Sequence, residues 1–239
     1  MAFNGLAALR VGADLSIIIA PRRAADIVAS HSPDLITVPC TTSFPDPKVA
    51  QEFLTRADSL IIGCGVTRTV AAHTALLSMI KNCKVPIVAD AESLHALASK
   101  PNVGDGKQML LTPNAGEYQI LTGKAWPGSH TGRVAAVRSL AEQYGSAVIV
   151  KGAEDFISDG KRVHVDHAGS PYMTKGGYGD LLAGVAGALL ARGHTSFESA
   201  KAAAYIVGRA GEMASRKLGE SMLASDVLEQ LHVVIRPWR

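Results

Sequence analysis

The segment Thr174-Lys-Gly-Gly-Tyr-Gly-Asp180, with the apolar run Leu181 to Leu190 behind it, has the residue types to bind and transfer an anionic group. Three glycines within four residues continue neither a helix nor a strand cheaply, so 176–179 reads as a tight loop. The run that follows is apolar on every side, which predicts a buried helix. Gly184, Gly187 and several alanines thin its surface, so neighbouring strands are expected to approach closely. A glycine loop opening a helix aims unpaired backbone N–H groups, and the positive end of the helix dipole, at one spot. Such a spot binds anions, phosphate above all. Asp180 at its edge is either a side chain that works on the ligand or an ordinary helix N-cap, for which Asp is favoured.

Other residues with chemical potential also follow glycines or apolar runs. Gly63-Cys-Gly65 lets the backbone come close to a ligand, and lacks the GxGxxG spacing of a dinucleotide fold, which counts against a dehydrogenase. Asp90 either holds Mg²⁺ through water or caps the helix after it. In Leu111-Thr-Pro-Asn-Ala-Gly-Glu117, Asn114 offers a donor and acceptors, and Glu117 follows at capping-box spacing. A plain cap accounts for that spacing but not for the place of Asn114 at a strand exit. Lys151-Gly-Ala-Glu-Asp155 sets a cation and a glycine after a strand, which suits a nucleotide phosphate or sugar; a solvated loop lysine is the alternative. The eight histidines show no His-x-x-x-His pairing, which argues against a catalytic zinc. No Gly-x-Ser-x-Gly elbow is present, which removes the common hydrolase chemistry.

The elements that must position these groups alternate along the chain. Ala2 to Val11 reads as a helix stopped by Gly12. Asp14 to Ala20 is a near-continuous apolar run closed by Pro21, the pattern of a buried parallel strand. Further strands are expected at 35–38, 59–65, 86–90, 108–112 and 147–151, with a short hairpin over 156–165. Helices are expected at 24–30, 49–56, 69–81, 92–98, 116–121 and 131–144, and again at 196–218 and 224–231. This alternation predicts an α/β fold, a three-layer α/β/α sandwich with a mostly parallel central sheet. In such sheets ligands bind outside the carboxyl ends of the strands. Gly63, Gly65, Asp90, the 112–114 turn and 151–155 should therefore share one edge with the loop at 176–180.

The 239 residues suffice for one α/β domain with a sizeable core, and 47% apolar with 19% charged residues argues against disorder. A net charge of +3 with both signs interspersed gives no basic stripe for nucleic acid. The two arginines within 236–239 read as a solvated tail. Cys40, Cys64 and Cys83 have no metal-ligand spacing and read as reduced thiols of a cytoplasmic protein. No apolar run reaches membrane-spanning length and no signal peptide is evident.

Taken together, the blocks resemble the ribokinase-like superfamily and, more closely, the ADP-dependent NAD(P)H-hydrate dehydratases. The segments that carry the resemblance are Ala8-Leu-Arg-Val-Gly-Ala13, Ile62-Gly-Cys-Gly-Val66, Val88-Ala-Asp-Ala91, Leu111 to Glu117, Val150-Lys-Gly-Ala153, Gly176 to Gly184 and Leu223-Ala-Ser-Asp-Val-Leu228. They keep the family's order over nearly the whole chain. The resemblance implies ADP or ATP, with Mg²⁺, lying between Lys151, Gly152, Ala153, Glu154, Asp155 and the loop residues Gly177 and Gly179. Hydrated NADH or NADPH would lie against Gly65, Asn114 and Asp180. Asp180 would be the catalytic carboxylate that contacts the reacting hydroxyl, with no metal held by protein ligands. The terminal phosphoryl goes to that hydroxyl, and elimination of phosphate leaves AMP and reduced cofactor. An NAD(P)H-hydrate epimerase in the same pathway and a homo-oligomer, a tetramer, are the implied partners. The family's usual Thr is replaced by Tyr178, which should set a bulky ring beside the anion hole. Many bacterial relatives carry His where Asn114 stands. Family members also begin with a strand and a glycine loop before the helix that here starts at Ala2, and the single domain is expected to lack both. The competing expectations are a small-molecule kinase of the same fold, such as a hydroxyethylthiazole kinase, and a non-catalytic nucleotide-binding protein.

Overall fold

A computed structural model of the chain describes residues 1–236. Helix α1 (Ala2–Arg10) leads into strand β1 (Ile17–Pro21), helix α2 (Arg22–His31), strand β2 (Ile36–Cys40) and helix α3 (Pro47–Leu54). Then come β3 (Leu60–Ile62), α4 (Val70–Asn82), β4 (Ile87–Ala89), α5 (Glu92–Ser99), β5 (Met109–Leu111), α6 (Ala115–Thr122) and α7 (His130–Tyr144). Strands β6 (Ala147–Val150), β7 (Asp155–Ser158) and β8 (Val163–Asp166) follow, and α8 (Tyr178–Ala191), α9 (Ser196–Leu218) and α10 (Ala224–Ile235) close the described chain. Strands β3 to β8 form one sheet in sequence order, parallel from β3 to β6 and antiparallel across the β7–β8 hairpin.

The period-2 alternation of a strand divides the apolar residues between two cores. Val88, Leu110, Ile149 and Ile157 face α1, α8, α9 and α10. Ile87, Ala89, Met109, Leu111, Val148, Val150 and Phe156 face α4 to α7 on the other side. Helices therefore cover both faces, as the continuous apolar strands require. The three-layer architecture matches the expectation from sequence.

Two expectations are corrected. The run ending at Ala20 forms a strand, but not one buried in the central sheet. β1 pairs in parallel with β2 alone, in a separate two-stranded sheet. One face is covered where Gly5 of α1 meets Leu35, Ser16 and Ile18. Elsewhere the pair is open, with Leu15 68%, Ile17 41% and Ile36 43% exposed. A continuous apolar run registers β propensity and hydropathy, and neither reports how many strands flank it. The second correction concerns the small residues of α8. A β-carbon at Gly187 would stand 2.6 Å from Ile61 of β3, as expected of a close strand, but one at Gly184 would stand 2.3 Å from the carbonyl oxygen of Asn4. Gly184 thus admits the backbone of α1, a helix rather than a strand. The segment Arg236–Arg239 lies outside the described residues apart from Arg236.

Candidate active site

The carboxyl ends of β3, β4, β5 and β6 and the start of α8 meet at one edge of the sheet. The helix opens earlier than its glycines suggest. Gly177 is the N-cap, at φ +104°, and Tyr178 and Gly179 are already helical. Only glycine adopts that φ without strain, and a β-carbon there would also press on Phe3 and Ala224. Asp180 is the third residue of the helix, and no side chain caps it. The N-cap alternative for Asp180 is thereby removed. A helix start without a side-chain cap leaves its first N–H groups to a ligand or water, and the first residues of α8 point them at the mouth of the site.

Lys151 extends the parallel ladder one residue beyond β6, its N–H bonded to Pro113 O at 2.8 Å, opposite Asn114. Its Nζ lies 3.3 Å from where a β-carbon on Gly179 would stand, so the ammonium sits close under the helix start and a side chain there would push it aside by a few tenths of an ångström. The lysine is not a solvated loop residue. Its Nζ is 2.8 Å from Asp90 Oδ1, and the two side chains are 21% and 6% exposed. Burial pulls the ammonium pKa down, but the neighbouring Asp90 and Glu117 carboxylates outweigh it and hold Lys151 above the usual lysine range. The uncapped α8 N–H groups and this cation form a cradle suited to a phosphate.

Asp90 does not cap the next helix. The cap position falls on Ala91, a non-glycine residue at φ +50°, and the Asp90 side chain is engaged elsewhere. Thr112 Oγ1 donates to its Oδ1 at 2.6 Å, and the Cys64 thiol donates to Oδ2 at 3.3 Å. With both oxygens bonded, Asp90 serves as the counter-ion of Lys151. Mg²⁺ binds through oxygen, usually through one or two carboxylates plus substrate phosphates. Among the described residues at the cradle, Asp180, 29% exposed at its side chain, is the carboxylate that a nucleotide-borne Mg²⁺ could meet.

The remaining expected contacts divide. Gly65, exposed at φ +71°, lies against the Met1 side chain at the mouth. Gly63 beside it is at φ +110°, and a β-carbon there would stand 2.0 Å from Asp90 O, so this turn brings β3 and β4 together. Asn114 forms the capping box that the sequence predicts: its Oδ1 accepts from Glu117 N at 2.9 Å, and Glu117 Oε2 accepts from Asn114 N at 2.8 Å. Its amide group remains exposed beside Lys151. Gly152 and Ala153 are exposed, but the carboxylates after them act locally. Glu154 meets His167 at 3.1 Å and Arg133 at 3.9 Å, while Asp155 Oδ1 accepts from Gly152 N at 2.9 Å. The ring of Tyr178 does not crowd the anion cradle. It is buried, with its hydroxyl 3.4 Å from Met222 O near the start of α10.

Sequence reading passed over three side chains here. Cys64 lies between two glycines, and the backbone freedom of Gly63 and Gly65 is the only local signal there. Asn4 of α1 donates to its sulfur at 3.3 Å. Glu92 binds Arg68 Nε at 3.0 Å and His73 Nε2 at 2.6 Å, tying the turn after β3 to the start of α5. Burial pushes the Glu92 carboxyl up, but its bonds to Arg68 and His73 prevail and hold it below the usual range. The i-to-i spacing of these partners, 60 positions for Asn4 and Cys64, leaves no local pattern.

Asp155 gives a pH-dependent expectation. Burial pushes its carboxyl up to about 6, with the Gly152 N–H and Lys151 opposing and Asp166 assisting. The folded state thus binds this proton more tightly than the unfolded chain does, and stability falls as pH rises towards that value. The full penalty applies above it. Asp155→Asn keeps an acceptor for Gly152 without the charge. It is expected to raise Tm by roughly 3–6 °C at pH 8 and by much less at pH 4, read by thermal denaturation. An equal change at both pH values would contradict this.

A family model described as NAD(P)H-hydrate dehydratase matches residues 1–232. The chain is 38% identical to the ADP-dependent (S)-NAD(P)H-hydrate dehydratase of Cenarchaeum symbiosum, covering 99% of this chain and 83% of that one. It is 37% identical to the bifunctional NAD(P)H-hydrate repair enzyme of Pyrobaculum aerophilum, covering 98% of this chain and 47% of the relative, so it spans about half of that longer protein. Among solved structures, the ADP/ATP-dependent NAD(P)H-hydrate dehydratase of Bacillus subtilis, co-crystallised with ATP/Mg²⁺, superposes with a TM-score of 0.84 at 20% identity, covering 100% of this chain and 84% of that one. That likeness shows the fold, the ribokinase-like architecture expected from sequence.

Proposed function

Because the chain belongs to the NAD(P)H-hydrate dehydratase family, we propose that it removes water from hydrated NADH and NADPH at the expense of ADP, forming AMP and phosphate. The observation that carries this reading is the carboxylate of Asp180 beside the uncapped start of α8, with Lys151 Nζ beneath Gly179. One cradle thus offers a base and fixed positive charge, the parts that phosphoryl transfer needs. Asp180 takes the proton from the substrate hydroxyl as that oxygen attacks the terminal phosphoryl. The α8 N–H groups and Lys151 hold the charge on the transferring phosphate. Phosphorylation turns a poor leaving group into a good one, and the lone pair of the ring nitrogen then expels phosphate and regenerates the reduced cofactor. Mg²⁺ carried by the nucleotide adds charge neutralisation at the phosphates.

In this reading the nucleotide lies along Lys151, Gly152, Ala153, Glu154 and Asp155, with its phosphates at Gly177 and Gly179. Glu154 and Asp155 shape the loop rather than touch the phosphates, because their oxygens are bonded locally. The hydrated dinucleotide lies against Gly65, Asn114 and Asp180. The longer bifunctional repair enzymes support a second repair activity beside this one, which we take to be an NAD(P)H-hydrate epimerase. Among the described residues no helix is long and apolar enough to cross a membrane. We place the protein in the cytoplasm as a homo-oligomer, a tetramer by resemblance, and size-exclusion chromatography with light scattering measures that state. The single-domain reading over the whole chain goes with it.

A kinase of the same fold would share the cradle and the base, but it must stop at a stable phosphorylated alcohol. Gly65 and Asn114 follow the ends of β3 and β5, and Asp180 lies in the first turn of α8, a span that suits a dinucleotide better than a thiazole alcohol. Incubation with ADP, Mg²⁺ and either hydrated NADH or hydroxyethylthiazole separates the two. AMP and phosphate are expected only with the hydrate. Accumulation of phosphorylated hydroxyethylthiazole, with no NADH regained, would establish the kinase instead.

A further inference from the structure

Cys64, Asp90 and Asp180 bring one sulfur and two carboxylate groups within 4.8 Å of one another, all on the active-site edge. The dehydration described above gives the thiol no task. A second observation converges on the same spot. Asn4 is 6% exposed and aims its carboxamide at the sulfur, with Nδ2 3.3 Å from Sγ. Its Oδ1 is buried and has no hydrogen-bond partner among the described residues. A buried acceptor without a donor is costly, and a bound water or a cation would satisfy it.

Two positive charges already face these carboxylates, Lys151 at Asp90 and the N-terminal ammonium 3.9 Å from Asp180 Oδ1, and the latter must move aside for a metal ion. Lys151 neutralises Asp90 through Oδ1 and leaves Oδ2 facing the thiol. Burial, then Asp90, then Asp180 push the Cys64 thiol well up, so without a cation the proton stays on sulfur. A divalent cation reverses this by replacing that proton: the S–H bond breaks, a metal–sulfur bond forms, one proton goes to solvent, and no electrons are transferred. Donor type selects the ion. Thiolate with carboxylate oxygens suits zinc and its neighbours, whereas Mg²⁺ requires oxygen throughout.

We propose that Cys64, Asp90 and Asp180 form a site for a thiophilic divalent cation of the zinc class, with Asn4 Oδ1 as a further oxygen donor once the carboxamide turns over to exchange Nδ2 for Oδ1, and that a cation there blocks turnover by occupying Asp180. The block rests on the role given to Asp180 above; the binding does not.

Cobalt(II) is the probe, because a bound thiolate gives it a sulfur-to-metal charge-transfer band in the near ultraviolet. The full chain titrated with Co²⁺ is expected to develop that band at one equivalent. Zn²⁺ should abolish it, and a large excess of Mg²⁺ should not. Cys64→Ser, which keeps a hydroxyl for Asp90, should lack the band while unfolding cooperatively. No band in the wild type, or an equal band in Cys64→Ser, would overturn the site, the latter placing the metal on Cys40 or Cys83. Should Cys64→Ser fail to fold, Asp180→Asn decides: its Co²⁺ affinity should drop by at least about tenfold, and an unchanged affinity refutes the assignment. Zn²⁺ should stop NADH recovery and a chelator restore it; bound Zn²⁺ with full turnover would refute the block. A band in a protein that never regenerates NADH would leave the metal site standing and remove only the proposed reaction.

Discussion

Asp180→Asn is expected to lower the rate of NADH recovery by a factor of about 10² or more, the range that loss of a general base gives. The substitution is nearly isosteric. It removes the charge and the basicity from the third residue of α8, while Gly177 and the N–H groups of the helix start remain as they are. The side chain makes no capping bond, so the fold loses little. Nucleotide affinity should survive, because the anion cradle consists of backbone and Lys151. Steady-state turnover together with the rise in Tm on adding ADP separates the two effects. A variant that turns over at nearly the wild-type rate would remove Asp180 from the reaction.

Lys151→Met is expected to cost about 3–5 kcal/mol of stability, a drop in Tm on the order of 10 °C. The loss arises from Asp90, whose side chain is 6% exposed and would be left charged with Thr112 and Cys64 as its remaining partners. Pairing the change with Asp90→Asn removes the stranded charge, and the double variant should recover most of the loss. Equal destabilisation in the single and double variants would mean that the pair contributes through packing alone. The ADP-induced rise in Tm should shrink in both, since each lacks the cation under Gly179.

What could be read from sequence followed from local pattern. Apolar runs closed by glycine, proline or aspartate located the strands and their carboxyl ends, and Asn114 with Glu117 declared its capping box through three-residue spacing. The start of α8 lay two residues ahead of Asp180, because Gly177 takes a backbone conformation that composition does not reveal. Contacts across the sheet were out of reach. Asp90 and Lys151 stand 61 positions apart, and each read alone suggested a metal or cap on one side and a nucleotide contact or a solvated cation on the other. Only the parallel register that sets β4, β5 and β6 side by side joins them. The exposure of β1 escaped for a similar reason, since an apolar run predicts a strand but not its neighbours.

The proposed reaction fixes the fate of one oxygen atom. If the hydroxyl of the hydrated cofactor attacks the terminal phosphoryl of ADP and the carbon–oxygen bond then breaks, that oxygen must leave in the phosphate. Hydrated NADH bearing heavy oxygen in its hydroxyl, turned over with unlabelled ADP, tests this by mass spectrometry of the released phosphate. One labelled oxygen per phosphate, with AMP and NADH formed in equal amounts, is the predicted result. Unlabelled phosphate, with the heavy oxygen recovered in water, would contradict it.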